Sequence, residues 1–116
     1  MTDTETIIGN ILDDCLDDWI PVDRVIGYAE IAAEEDGGDS RALFEVLLGS
    51  LLQRGLATVG YIGDSGFEPW ELSPDDSLKR AVRECAAVGW EPLMGGPWVA
   101  STPEGDRQTE ARQATS

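Results

Sequence analysis

Leu56-Ala57-Thr58-Val59-Gly60-Tyr61-Ile62, then Gly63-Asp64-Ser65-Gly66, then Phe67-Glu68-Pro69-Trp70-Glu71-Leu72 is the stretch on which the fold turns. Both arms alternate where every earlier segment repeats at three and four, and the glycine-bounded centre has turn chemistry, so the stretch reads as a β-hairpin. Pro69 has no N–H to give to a ladder, which puts its strand at an edge or at a bulge.

Immediately before the hairpin, Asp39 or Ser40 starts a helix that Gly55 ends after Arg54. Its apolar residues Leu43, Phe44, Val46, Leu47, Leu48, Leu51 and Leu52 cover more than one face, which predicts the central helix of the core. A shorter helix precedes it, capped by Asp23, running through Val25, Ile26, Tyr28, Ala29, Ile31 and Ala32 and stopped at Gly37-Gly38. From Thr4 to Trp19, Ile7, Ile8, Ile11, Leu12, Cys15, Leu16 and Trp19 make the apolar stripe of an amphipathic first helix. Asp13, Asp14, Asp17 and Asp18 lie opposite. Pro21 closes that helix and leaves Trp19-Ile20-Pro21-Val22 as a brief edge strand.

Beyond the hairpin, Ser73-Pro74-Asp75-Asp76 combines a capping hydroxyl, a first-turn proline and two acids, and predicts a fourth helix to about Val88. Leu78, Ala81, Val82, Cys85 and Ala86 form its buried stripe, and Gly89 ends it. Gly95 to Ser101 offers one more short strand. The polar stretch from Thr102 to Ser116 has almost no large apolar side chain, so the expectation is one domain over residues 1–105 and a disordered tail over 106–116.

The expected class is therefore α+β, and the order helix, short strand, helix, helix, hairpin is that of a winged helix with an extra C-terminal helix and strand. The segments Leu51-Leu52-Gln53-Arg54-Gly55-Leu56, Gly66-Phe67-Glu68-Pro69-Trp70 and Trp98-Val99-Ala100-Ser101-Thr102-Pro103-Glu104-Gly105 carry a resemblance. In them the chain resembles small uncharacterised winged-helix-like proteins of high-GC bacteria, a group with no assigned activity. The shared motifs are turns and core positions, so the resemblance implies a fold and no catalytic residue.

Charge narrows the function more than any motif does. The 116 residues hold 23 Asp and Glu against 8 Lys and Arg, a formal net charge of −15. Such a field repels nucleic acid and anionic lipid and favours encounter with cationic partners. With no histidine, the chain lacks the commonest general base and metal ligand, and it has no Gly-x-Ser-x-Gly elbow or phosphate loop. No enzyme activity, cofactor or metal is expected. No run approaches the ~20 apolar residues that span a bilayer, and Met1-Thr2-Asp3-Thr4-Glu5 lacks the blocks of a signal peptide, so a cytoplasmic location is expected. Cys15 and Cys85 fall on apolar helix faces and read as buried thiols rather than a disulfide pair.

Asp13-Asp14-Cys15-Leu16-Asp17-Asp18 fits the aspartate-rich motif of prenyl-transfer enzymes, but that chemistry needs a large closed helical cavity that a domain of this length does not enclose. The repelling i,i+4 pairs Asp13 with Asp17 and Asp14 with Asp18 suit a solvated face or a basic partner. Glu34, Glu35, Asp36 and Asp39 around Gly37-Gly38 extend the candidate patch without the spacing of a calcium loop, and Trp70 beside Pro69 is a candidate anchor. For nucleic acid, the third helix offers only Arg41, Gln53 and Arg54, with Glu45 opposed, and the hairpin tip brings Asp64. Lys79, Arg80 and Arg83 form a local basic cluster expected to pair with Asp75, Asp76 and Glu84. The first expectation is an acidic protein-binding module, such as an inhibitor or immunity-type partner of a basic protein. The alternative is a winged-helix transcriptional regulator that binds DNA only as a homodimer or with a partner.

Overall fold

The computed structural model describes residues 3–114. Helix α1 covers Thr4–Asp17, capped by Asp3, whose carboxylate accepts from the Glu5 N–H at 3.4 Å. It stops two residues earlier than the apolar stripe suggests, because Asp18 is fully extended, and Trp19 leaves the helix altogether. Strand β1 is only Ile20–Pro21. Helix α2, Val22–Asp36, begins directly after it with Pro21 in the capping position, so Asp23 sits in the first turn and is not the cap.

Gly37 ends α2 at φ 73°, and Asp39 caps helix α3, Ser40–Gln53, by accepting from the Arg41 N–H at 3.0 Å. Phe44, Leu47, Leu48 and Leu51 of α3 are each at most 1% exposed, which makes this the core helix that its sequence predicts. Helix α2 packs on one side of it, and the helix over Pro74–Ala87 packs on it too.

The hairpin is present as strands β2, Ala57–Gly63, and β3, Gly66–Pro69, joined through Asp64 and Ser65 with Gly63 opposite Gly66. β3 ends at Pro69, which itself has no N–H to give to the ladder. Gly60 leaves no room for a side chain against β3, since a Cβ there would stand 2.1 Å from the Glu68 carbonyl oxygen.

Ser73 caps helix α4, Pro74–Ala87, accepting from the Asp76 N–H at 3.1 Å. Strand β4, Trp98–Ser101, then enters the middle of the sheet, not its margin. The antiparallel order is β1-β4-β2-β3, with Val99 opposite both Ile20 and Val59. The hairpin therefore reaches β1 only through β4. One core unites Ile11, Leu12 and Cys15 of α1, the α3 leucines, Cys85 of α4, Val59 and Val99.

One expectation is corrected outright. Residues 106–114, expected to be disordered, belong to helix α5, Pro103–Ala114, while residues 115 and 116 lie outside the described part. The Thr102 hydroxyl donates to the Gly55 carbonyl at 2.6 Å and accepts from the Gly105 N–H at 3.1 Å, fixing the helix start. Gly105 packs so tightly that a Cβ would meet the Leu56 carbonyl oxygen at 2.1 Å, and Thr109 is fully buried. At the far end Arg112 donates to the Gly9 carbonyl of α1 at 2.9 Å. The helix is held by small residues and polar contacts, which leave no apolar period to read.

Candidate functional site

Asp13, Asp14 and Asp17 of α1 and Asp18 just beyond it do not act as one face. Asp13 accepts from Arg112 and Gln113 of α5, and Asp14 accepts from Arg24 at 3.2 Å and from the Tyr28 hydroxyl at 2.7 Å. Both carboxylates are thereby used to tie α1 to its neighbours. Burial first and the Asp14 hydrogen bond second push the Tyr28 hydroxyl up to about 12. Asp17 and Asp18 are exposed and have no cationic partner among the described residues. Asp18 accepts only from the adjacent Trp19 N–H, at 2.8 Å.

Glu34, Glu35 and Asp36 are exposed at the far end of α2, roughly 12 Å of helix rise beyond Tyr28. They form a separate patch. Asp39 is a cap, as above. Trp70, the expected anchor, is only 9% exposed: it packs edge-on to Tyr61 at 5.5 Å and lies under the Arg80 guanidinium at 4.2 Å. Its place in the core follows from Pro69, after which the chain turns in and the Trp70 N–H donates to the Val59 carbonyl at 2.9 Å.

The three candidate nucleic-acid contacts are engaged within the chain. Arg41 stands over the Trp90 ring at 5.4 Å, Gln53 donates to Asp75, and Arg54 donates to Glu5 at 2.9 Å. In the basic cluster of α4, Arg80 pairs with Glu84 at 2.8 Å, while Lys79 and Arg83 have no acidic partner among the described residues. The expected pairing of those two with Asp75 and Asp76 does not occur. Arg24, Arg54, Arg80, Arg107 and Arg112 are all in ion pairs, which leaves little cationic surface unclaimed.

The feature that sequence reading missed is a groove along β4. Trp98 and Ala100 share one face of this strand by alternation, opposite the core-facing Val99. Trp98 lines a cavity of about 440 Å³ with Trp19, Tyr61, Ile62, Met94 and Asp18. Ala100 lines an adjoining one of about 360 Å³ with Leu16, Asp17, Asp18, Ser101 and Asp106. Asp18 and Trp19 belong to both, so an aromatic half and an acidic half meet at the α1–β1 junction. Trp19 is 42% exposed, with its ring 6.1 Å from Phe67, and Met94 is 64% exposed on the α4–β4 loop. Leu93 beside Met94 holds a φ of 53°, a backbone setting that branched side chains rarely adopt. The available signal was Asp17-Asp18-Trp19 ahead of Pro21: a helix ending before its last apolar residue leaves that residue outside.

Burial pushes the Cys15 thiol up to about 12 and that of Cys85 to about 11, so both stay protonated at neutral pH, and both are free. No helix among the described residues is long and apolar enough to cross a membrane. No family model, curated protein or solved structure matches the chain.

Proposed function

We propose that this chain is a non-catalytic, winged-helix-like module that holds a basic segment of another protein, in the cytoplasm of a bacterium. The observation that carries the reading is the pairing of Asp17 and Asp18, which lack internal cations among the described residues, with the open groove beside β4. The other acids of the predicted α1 face are already satisfied, so what that face leaves for a partner lies where there is also room for one. Carboxylates beside apolar surface favour a cationic, partly apolar segment over a polyanion.

The element order through the hairpin supports the winged-helix description. A DNA-reading role is disfavoured, since Arg41, Gln53 and Arg54 of α3 are occupied and Glu45 stands on the exposed side of the same helix. A specific duplex site draws on several free Lys and Arg contacts.

An array of short peptides of graded charge, probed with labelled protein, tests the reading. Cationic peptides should be retained and anionic ones not, with retention cut at least severalfold by Asp17→Asn together with Asp18→Asn. Undiminished retention by that double variant sinks the reading. Micromolar binding to random duplex DNA at low salt, weakening steeply as salt is added, would instead favour the regulator.

A further inference from the structure

The chain contains four tryptophans, and they divide by the company they keep. Trp70 lies under the Arg80 guanidinium at 4.2 Å and Trp90 under that of Arg41 at 5.4 Å. Trp19 and Trp98 have no such cation among the described residues, although both line the same cavity, next to Asp18. A guanidinium over an indole face is stabilised by the ring quadrupole, and a carboxylate at the same place adds a charge-assisted hydrogen bond. Aromatic rings and a carboxylate line this cavity, the same kinds of group that surround Arg80 beside Trp70, with no arginine among the lining residues.

We infer that the aromatic half of the groove takes one arginine side chain of the bound segment, seated between Trp19 and Trp98 with its guanidinium on Asp18. This rests on the protein-binding reading above and specifies what selects the segment. Arginine fits better than lysine, because its flat, weakly hydrated head stacks on rings and forks onto a carboxylate, while the ammonium is a compact, strongly hydrated point charge. Ile62 and Met94 wall the cavity at the same level, so an apolar residue next to the arginine completes the fit. Asp17 and Asp106 in the adjoining half suit a second cation along an extended segment. The cavity's about 440 Å³ lies within the ordinary range for small-ligand pockets, ample for one arginine and part of its neighbour.

The four indole N–H signals of the isotope-labelled protein read the test directly. A short peptide carrying a single Arg-Leu step should shift the Trp19 and Trp98 signals saturably and leave those of Trp70 and Trp90 in place, which also reports an intact core. The same peptide with citrulline, isosteric but uncharged, should bind about threefold to thirtyfold more weakly. Asp18→Asn should weaken the arginine peptide part of the way toward the citrulline level, and Trp19→Ala, at a half-exposed position, should abolish the Trp98 shift. Equal binding of the arginine and citrulline peptides overturns the inference while leaving a protein-binding groove. Shifts confined to Glu34–Asp36 overturn it too, and move the binding face elsewhere on an acidic module. No binding by any cationic peptide removes both this inference and the function on which it rests.

Discussion

At Gly60 and at Tyr28 single atoms decide whether neighbouring elements meet. The β3 backbone passes so close to Gly60 that Gly60→Ala must push the strands apart. The expected cost is more than ~2 kcal/mol, seen as a melting temperature lower by about 8 °C or more. An unchanged melting curve would mean that the hairpin does not have this geometry. Tyr28 gives a pH dependence. Its hydroxyl, like the thiols of Cys15 and Cys85, ionises at higher pH when folded, chiefly because of burial. The stability these groups contribute is complete below their unfolded values, 9.0 for the thiols and 10.0 for the hydroxyl, and is lost as pH rises toward about 12. Urea midpoints should therefore fall steadily above pH 9.0, and less steeply in Tyr28→Phe. The surface ion pairs contribute little beside this, since exposed pairs are worth ~0–1 kcal/mol each.

At the scale of elements, what could be read in the sequence depended on whether packing leaves a period. α1 and α3 bury apolar stripes, while α4 buries Ala81 and Cys85 with Leu78 and Val82 half-buried but leaves Ala86 of its expected stripe exposed. All three helices were placed to within two residues, and the hairpin announced itself through Gly63-Asp64-Ser65-Gly66. β4 was found as a strand but not as the central one, because pairing partners are a tertiary fact that four residues cannot encode alone. α5 was missed, since it docks through Gly105, Thr109 and Arg112 and not through leucines. Deleting residues 103–116 should lower stability by ~2–3 kcal/mol in urea titration, by stripping the Gly9 carbonyl, Asp13 and the α1 surface of their cover. A truncated chain as stable as the full one would return α5 to the status of a tail. The groove escaped reading for a similar reason: Trp19, Ile62, Met94 and Trp98 come from four separate segments, and only the acidic pair beside them was visible beforehand.

For the molecule as a whole, the net charge of −15 means that folding gathers like charges. Compaction then works against repulsion that salt screens over about 8 Å at physiological ionic strength. The melting temperature should rise with sodium chloride over the range in which most proteins are indifferent, and a flat or falling trend would count against self-repulsion as a factor. The same repulsion works against self-association, and the cationic segment proposed above would relieve it.

The central position of β4 has a further consequence for how the protein is made. Ile20 and Val59 both wait for Val99, so neither β1 nor the inner edge of the hairpin can be closed until Trp98–Ser101 has left the ribosome. During synthesis the nascent hairpin carries an unpaired strand edge, the kind of surface on which chains join one another. Ribosome-stalled chains ending before Trp98 should be cut readily by protease in the hairpin region, and those extended beyond α5 and clear of the exit tunnel should resist.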